Sequence, residues 1–258
     1  MEDNNNEENN EIIDNQISID GKINKKNNKL YTRENSILFK DNSLQRLDMS
    51  FMKHIEAKEY KKSDLLAYWV KDYANYHDEE STFAPSSLRY FTHGDIVKVN
   101  LGFNIGHELG GLHYCLVINK YDNHSSGNLN VVPLSSTKPG KIYNKKFCVN
   151  LGDELYSSLH KVLRKELEEA SEQLEKLTKT DKDDNFSLEF QKISDRIKVL
   201  IKTKDELLKM KHGSMALVNQ ITTISKQRIF KEPLLAKVKI SNKSLDLIDK
   251  KIKELYTK

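Results

Sequence analysis

The apolar period of this chain changes twice, and those changes bound what it can fold into. Between 91 and 151, apolar runs at 95–101, 113–119, 129–134 and 146–151 alternate or cluster as strands do. Turn-forming segments separate them, among them Asp122-Asn-His-Ser-Ser-Gly-Asn128 and Lys138-Pro-Gly140, which suit antiparallel hairpin links. Beyond 152 the spacing lengthens to mostly three and four residues. Leu155, Leu159, Val162, Leu167, Ala170, Leu174 and Leu177 form one stripe, and Phe190, Ile193, Ile197, Leu200 and Leu207 a second, with charges of both signs between them. This predicts two helices that bury their seams against each other as an antiparallel coiled-coil hairpin, turning near 180–184. Strand character then resumes over 214–225. A helix beginning at Ser244 places Leu245, Ile248, Ile252 and Leu255 inward. The class expected is therefore α+β, a β unit formed by 91–151 and 212–258 and interrupted by a hairpin over 152–211.

The remaining third of the chain reads differently. Of the 258 residues 37% are hydrophobic and 31% charged, which leaves less core than the length suggests. The deficit is concentrated in 1–42, an Asn/Lys/Glu-rich stretch with scattered apolar residues, expected to be a disordered tail because it cannot bury enough surface to offset chain entropy. A helical extension is predicted over 43–80. Leu44, Leu47, Phe51 and Ile55 make one stripe; after a Ser63 cap, Leu65, Leu66, Trp69, Tyr73 and Tyr76 make another, packing on the β unit or on a partner. Residues 81–87, with Pro85 among small polar side chains, read as a linker.

The formal charge of +4 permits contact with an acidic polymer, and its distribution says more. Residues 1–20 contain no Lys or Arg, so the basic excess lies on the part expected to fold, as nucleic-acid binding requires. Two cysteines, Cys115 and Cys148, sit in apolar runs and read as buried free thiols. With no signal-peptide pattern and no apolar run of spanning length, a reducing, cytoplasmic setting without a membrane is expected. No set of His, Cys, Asp and Glu has metal-ligand spacing, so neither metal nor other cofactor is expected. His93, His124, His160 and His212 lie at flanks or turns and read as exposed.

Chemistry points to the segment between the first two strands. It carries Gly102, Gly106, Gly110 and Gly111, which permit close backbone approaches, together with His107 and His113. Gly94-Asp-Ile-Val-Lys-Val-Asn with Gly106-His-Glu-Leu-Gly-Gly111, then Val131-Val-Pro-Leu-Ser-Ser136, then Gln220-Ile-Thr-Thr-Ile-Ser-Lys-Gln-Arg228 and a C-terminal helix resemble, in order and spacing, the PemK/MazF toxins of toxin–antitoxin systems. The resemblance implies a small SH3-like β-barrel acting as a homodimer and restrained by an antitoxin protein. It also implies an mRNA-interferase type of activity: hydrolysis of single-stranded RNA by 2′-hydroxyl attack, without metal.

Where the family commonly has Arg and Pro after the paired glycines, this chain has His113 and Tyr114. Asn219 stands at an acidic position, Thr222 at an Arg position and Ser225 at an Asp position. Imidazoles titrate near neutrality and can carry the two proton transfers the reaction needs. The resemblance therefore assigns His113 and His107 as the acid/base pair with Ser135 beside them. It assigns Arg228, Ser136, Gln220, Lys226 and Thr222 to RNA and its phosphates, and Glu108, Gly110 and Gly111 to holding the loop. The lost charges leave an alternative: a non-catalytic PemK/MazF- or CcdB-like module that binds a protein or nucleic acid.

Overall fold

The computed structural model describes residues 31–123, 125–138, 140, 142–179, 185–208, 212–231 and 233–257. Most of the expected tail, the hairpin turn at 180–184 and His124 lie outside the described residues. The chain divides into two units, Met1–Ser63 and Asp64–Lys258.

The first unit holds helix α1 (Arg33–Glu56), whose N-cap Thr32 accepts a hydrogen bond from the Asn35 amide at 3.2 Å. Its start corrects the expected tail: 33–42 are helical, because the Thr32 cap and the run Ile37-Leu38-Phe39 fall inside that stretch. The expected packing stripe is also corrected, since α1 buries none of its residues and Leu44 and Ile55 are exposed. Helix α2 (Tyr60–Glu79) begins three residues before Ser63, so Ser63 is a buried helical residue and not a cap.

In the second unit, the strands are β1 (Ile96–Asn100), β2 (Leu112–Val117), β3 (Asn128–Ser136), β4 (Cys148–Gly152), β5 (Ser214–Leu217), β6 (Thr222–Ser225) and β7 (Ile229–Phe230). All pairings are antiparallel, in the order β4-β5-β3-β2-β1-β7 with β6 also on β3. The path is open: among the described residues its two end strands, β4 and β7, do not pair. β3 is nine residues long and serves two partners along one edge, β6 through 128–131 and β5 through 134–136. The expected single run over 214–225 is in fact β5 and β6 separated by a tight 3-10 turn, Val218–Gln220.

Two cores follow from strand alternation. Ile96, Leu116, Val132, Leu134 and Ala216 face one side. There they meet α3 (Glu154–Lys179) through Leu155, Leu159 and Leu163, and α5 (Asn242–Tyr256) through Ile248, with Leu245, Ile252 and Leu255 packed around it. Val97, Val99, Leu101, Cys115, Val117, Leu129, Val131 and Ile224 face the other side. Helix α5 is capped by Ser241, whose Oγ accepts from the Ser244 amide, so the helix starts earlier than Ser244. His93, expected at the surface, is half-buried and bonded through Nε2 to Asp249 of α5 at 2.9 Å.

Helix α3 and helix α4 (Phe186–Leu208) lie side by side. Arg196 reaches Glu166 and Gln173 across the seam, and Glu166 is also bonded by Lys237 from the 3-10 segment Pro233–Lys237. Burial of Ala170, Leu200 and Leu207 continues the first core along this seam. Among the described residues no helix is long and apolar enough to cross a membrane.

Candidate functional site

At one end of the second core the sheet face turns polar. The segment joining β1 to β2 folds back there because glycines allow it. The Gly111 amide donates to Gly102 O at 2.6 Å, and a Cβ at Gly110 would lie 2.6 Å from the same oxygen. Gly111 holds φ at +87°, a conformation that disfavours other residues. The loop is then clasped from across the chain. Gln220 Oε1 accepts from the Leu109 amide at 3.1 Å, its Nε2 donates to His107 O at 3.3 Å, and Asn104 Nδ2 donates to Leu109 O at 2.8 Å. The holding role expected of Glu108 therefore falls to Gln220 and Asn104: an amide both donates and accepts, which a carboxylate does not.

Between this loop, the end of β3 and the 218–222 turn lies a cleft of about 400 Å³. Asn104, Glu108, Asn219, Gln220, Thr222 and Arg228 supply its polar wall, and Leu101, Pro133 and Ile224 its apolar floor. Among the described residues no hydrogen bond engages the Glu108 carboxylate, so its two oxygens are left for the cleft.

Arg228 is fixed on three sides. Its Nε donates to Asn100 O at 2.8 Å, its guanidinium lies 5.3 Å above the Trp69 ring, and β7 follows directly after it. Burial lowers its pKa from the usual value, with the neighbouring Tyr76 and Cys115 acting in the opposite direction. Helix α2 braces the same corner. Asp72 Oδ2 accepts from Asn100 Nδ2 at 2.8 Å, Gln227 Nε2 donates to Tyr76 O at 2.7 Å, and Trp69 sits so close to Gly102 that a Cβ there would be 2.9 Å from it. The aromatic stripe of α2 was visible in the sequence, but its target was not, because nothing local marks Asn100 or Gly102 as a docking point.

His113 lies outside the residues lining the cleft. Register places it on the same sheet face: it opposes Val99, and Cys115 opposes Pro133, so continuing that ladder sets His113 across from Ser135. Its Nδ1 is 3.1 Å from Leu134 O. A carbonyl only accepts, so Nδ1 carries the proton and Nε2 of the neutral ring keeps its lone pair. The ring is half-buried and not sealed in the core.

The other expected residues divide. His107 is exposed and contributes its backbone oxygen to the loop clasp; it does not line the cleft. Ser135 and Ser136 are half-buried on β3, paired with Met215 and Ser214. Lys226 is corrected: it is 1% exposed and its ammonium bonds Asp122 Oδ1 at 2.6 Å and Asn123 O at 3.2 Å, so a phosphate cannot reach it. The arrangement is thus an open antiparallel sheet in an α+β chain, with one half-buried cation, a carboxylate and amides around a polar cleft.

Part of the chain matches a known family. Residues 92–185 match the model of the PemK-like, MazF-like toxin of type II toxin–antitoxin system. The matched stretch takes in β1 to β4 and α3; Gln220, Thr222 and Arg228 lie beyond it. No curated protein matches the chain.

Proposed function

We propose that the protein is a toxin-type endoribonuclease that cleaves single-stranded RNA without a metal, and that the cleft holds the scissile phosphate. The observation that carries this reading is the convergence of Arg228, Gln220, Thr222 and Glu108 on one cleft, at the end of the sheet face where His113 and Ser135 stand in register. Arg228, already oriented by Asn100 O and Trp69, supplies charge and N–H donors to the phosphate as negative charge builds.

The 2′-hydroxyl loses its proton to a base, its oxygen bonds to phosphorus, and the bond to the 5′-oxygen breaks as that oxygen takes a proton from an acid. The products are a 2′,3′-cyclic phosphate and a free 5′-hydroxyl. His113 and Glu108 divide these two proton transfers. Glu108 takes the place expected of His107 because its carboxylate lines the cleft.

The similarity of residues 92–185 to a toxin family further supports an antitoxin partner and a homodimer. The passage of 222–230 from the β3 ladder to the β1 ladder supports wrapping of the SH3-like barrel kind. The α3–α4 pair is read as the coiled-coil insertion of 152–211 into a barrel made of 91–151 and 212–258. Two free cysteines fit a reducing cytoplasm.

The test is incubation of the purified protein with RNA in chelator, scored by chemistry of the ends. Cyclic phosphate ends are expected, with a fall of about 10²-fold or more for His113→Ala and for Glu108→Gln. Undiminished cleavage by either variant removes that residue from the mechanism. A second reading, a non-catalytic binding module, is favoured by the position of His113 and His107 outside the cleft lining. It predicts Arg228-dependent association with a partner and no cleavage.

A further inference from the structure

Beside the phosphate cleft lies a second pocket, of about 480 Å³, between α2 and the β1–β2 loop. Its walls are aromatic: Tyr68 and Trp69 from the helix, Phe103 from the loop and Phe230 from β7. Polar groups stand at its edges, Asp72, Asn100 and Asn104. Asn104 lines both this pocket and the cleft, and Trp69 is the ring beneath the Arg228 guanidinium, so the two spaces adjoin at the cation.

We propose that this pocket is a nucleobase subsite: a base of single-stranded RNA stacks against Tyr68 and Trp69 while its backbone phosphate meets Arg228. The inference rests on the reading of the cleft as an RNA site and assigns the neighbouring base a place. A flat ring with hydrogen-bonding edges fits aromatic faces framed by a carboxylate and two amides. Stacking is also the usual way in which single strands are held beside a cationic groove.

Tyr68 is 68% exposed and Phe230 43% exposed, large apolar surfaces left open at the rim. A purely apolar occupant would not use the adjoining guanidinium. Helix α2 precedes the matched toxin stretch, so the Tyr68 and Trp69 wall of the subsite comes from outside that stretch, whereas Phe103 and Asn104 come from within it.

Trp69 is the single tryptophan of the chain, which gives a direct probe. The experiment titrates the full chain with a 2′-O-methyl oligoribonucleotide, which cannot be cleaved, and with an abasic oligomer of the same length, following Trp69 emission and binding anisotropy. The base-bearing oligomer is expected to bind and quench Trp69. Tyr68→Ala is expected to weaken binding about tenfold with Tyr68→Phe restoring it, and the abasic chain is expected to bind more weakly without quenching.

Arg228-dependent binding with unchanged Trp69 emission and no effect of Tyr68→Ala would overturn the subsite while leaving the RNA cleft intact. It would give the pocket to a protein segment instead. No binding of any oligomer would overturn both.

Discussion

Lys226 and Arg228 stand two positions apart in a basic stretch and meet opposite fates. Arg228 keeps its charged head at a cleft, whereas the Lys226 ammonium is sealed with Asp122, 5.8 Å above the Phe91 ring, while the other Asp122 oxygen accepts from the Phe91 amide. Desolvating such a pair is costly, but leaving one half of it is worse. Lys226→Ala is expected to destabilise the fold by about 3–5 kcal/mol, and Lys226→Met combined with Asp122→Asn to recover much of that loss, read as the shift in urea denaturation curves. Burial likewise silences Cys115, whose thiol is pushed up to about 12, so it takes no part in chemistry at neutral pH. Sequence assigned both to phosphate, and it misplaced Lys226 for a physical reason. A cation reads the same whether its partner is a ligand or a distant carboxylate, and Asp122 is 104 residues away.

At the scale of elements, the base of the α3–α4 pair is part of the core. Leu155, Leu159 and Leu163 pack with Leu134, Val149, Leu234 and Leu235, so excising 153–211 would strip the first core and not merely a protrusion. Removing only the outer part, 172–194, behind a short Gly-Ser link is expected to leave a cooperative thermal transition within a few degrees of the parent. Excision of 153–211 is expected to abolish it, both read by circular dichroism. Glu166 ties this pair to Pro233–Lys237, and hydrogen bonds from Lys237 and then Arg196 lower its pKa. A carboxylate whose folded pKa lies below its unfolded value stabilises the fold fully above the unfolded value, near 4.5, and loses that contribution as pH falls through the lowered folded value. Glu166→Gln is therefore expected to lower the melting temperature at pH 7 and to flatten its fall between pH 5 and 3, measured by melting across that range.

At the scale of the whole molecule, the Asp64–Lys258 unit contains every residue of the cleft, and α2 from Asp64 onward is part of that unit. A chain starting at Asp64 is expected to keep its thermal transition and its RNA binding. A chain starting at 91 loses Trp69, Asp72 and Tyr76, leaves Asn100 and Arg228 unbraced, and is expected to melt at lower temperature and to bind RNA at least tenfold more weakly, read by scanning calorimetry and anisotropy.

The sequence alone determined the four strands before 152, the helical runs that follow them, and the loop that carries Gly110 and Gly111. These are encoded by local periodicity and by backbone angles that few residues adopt. Only the tertiary structure decided that Gln220 and not Glu108 holds the loop, that His113 donates to Leu134 O, and that Trp69 lies beneath Arg228. Each of these depends on which distant group arrives within hydrogen-bonding or ring-stacking reach. That proximity is set by packing over long separations, which no local pattern records.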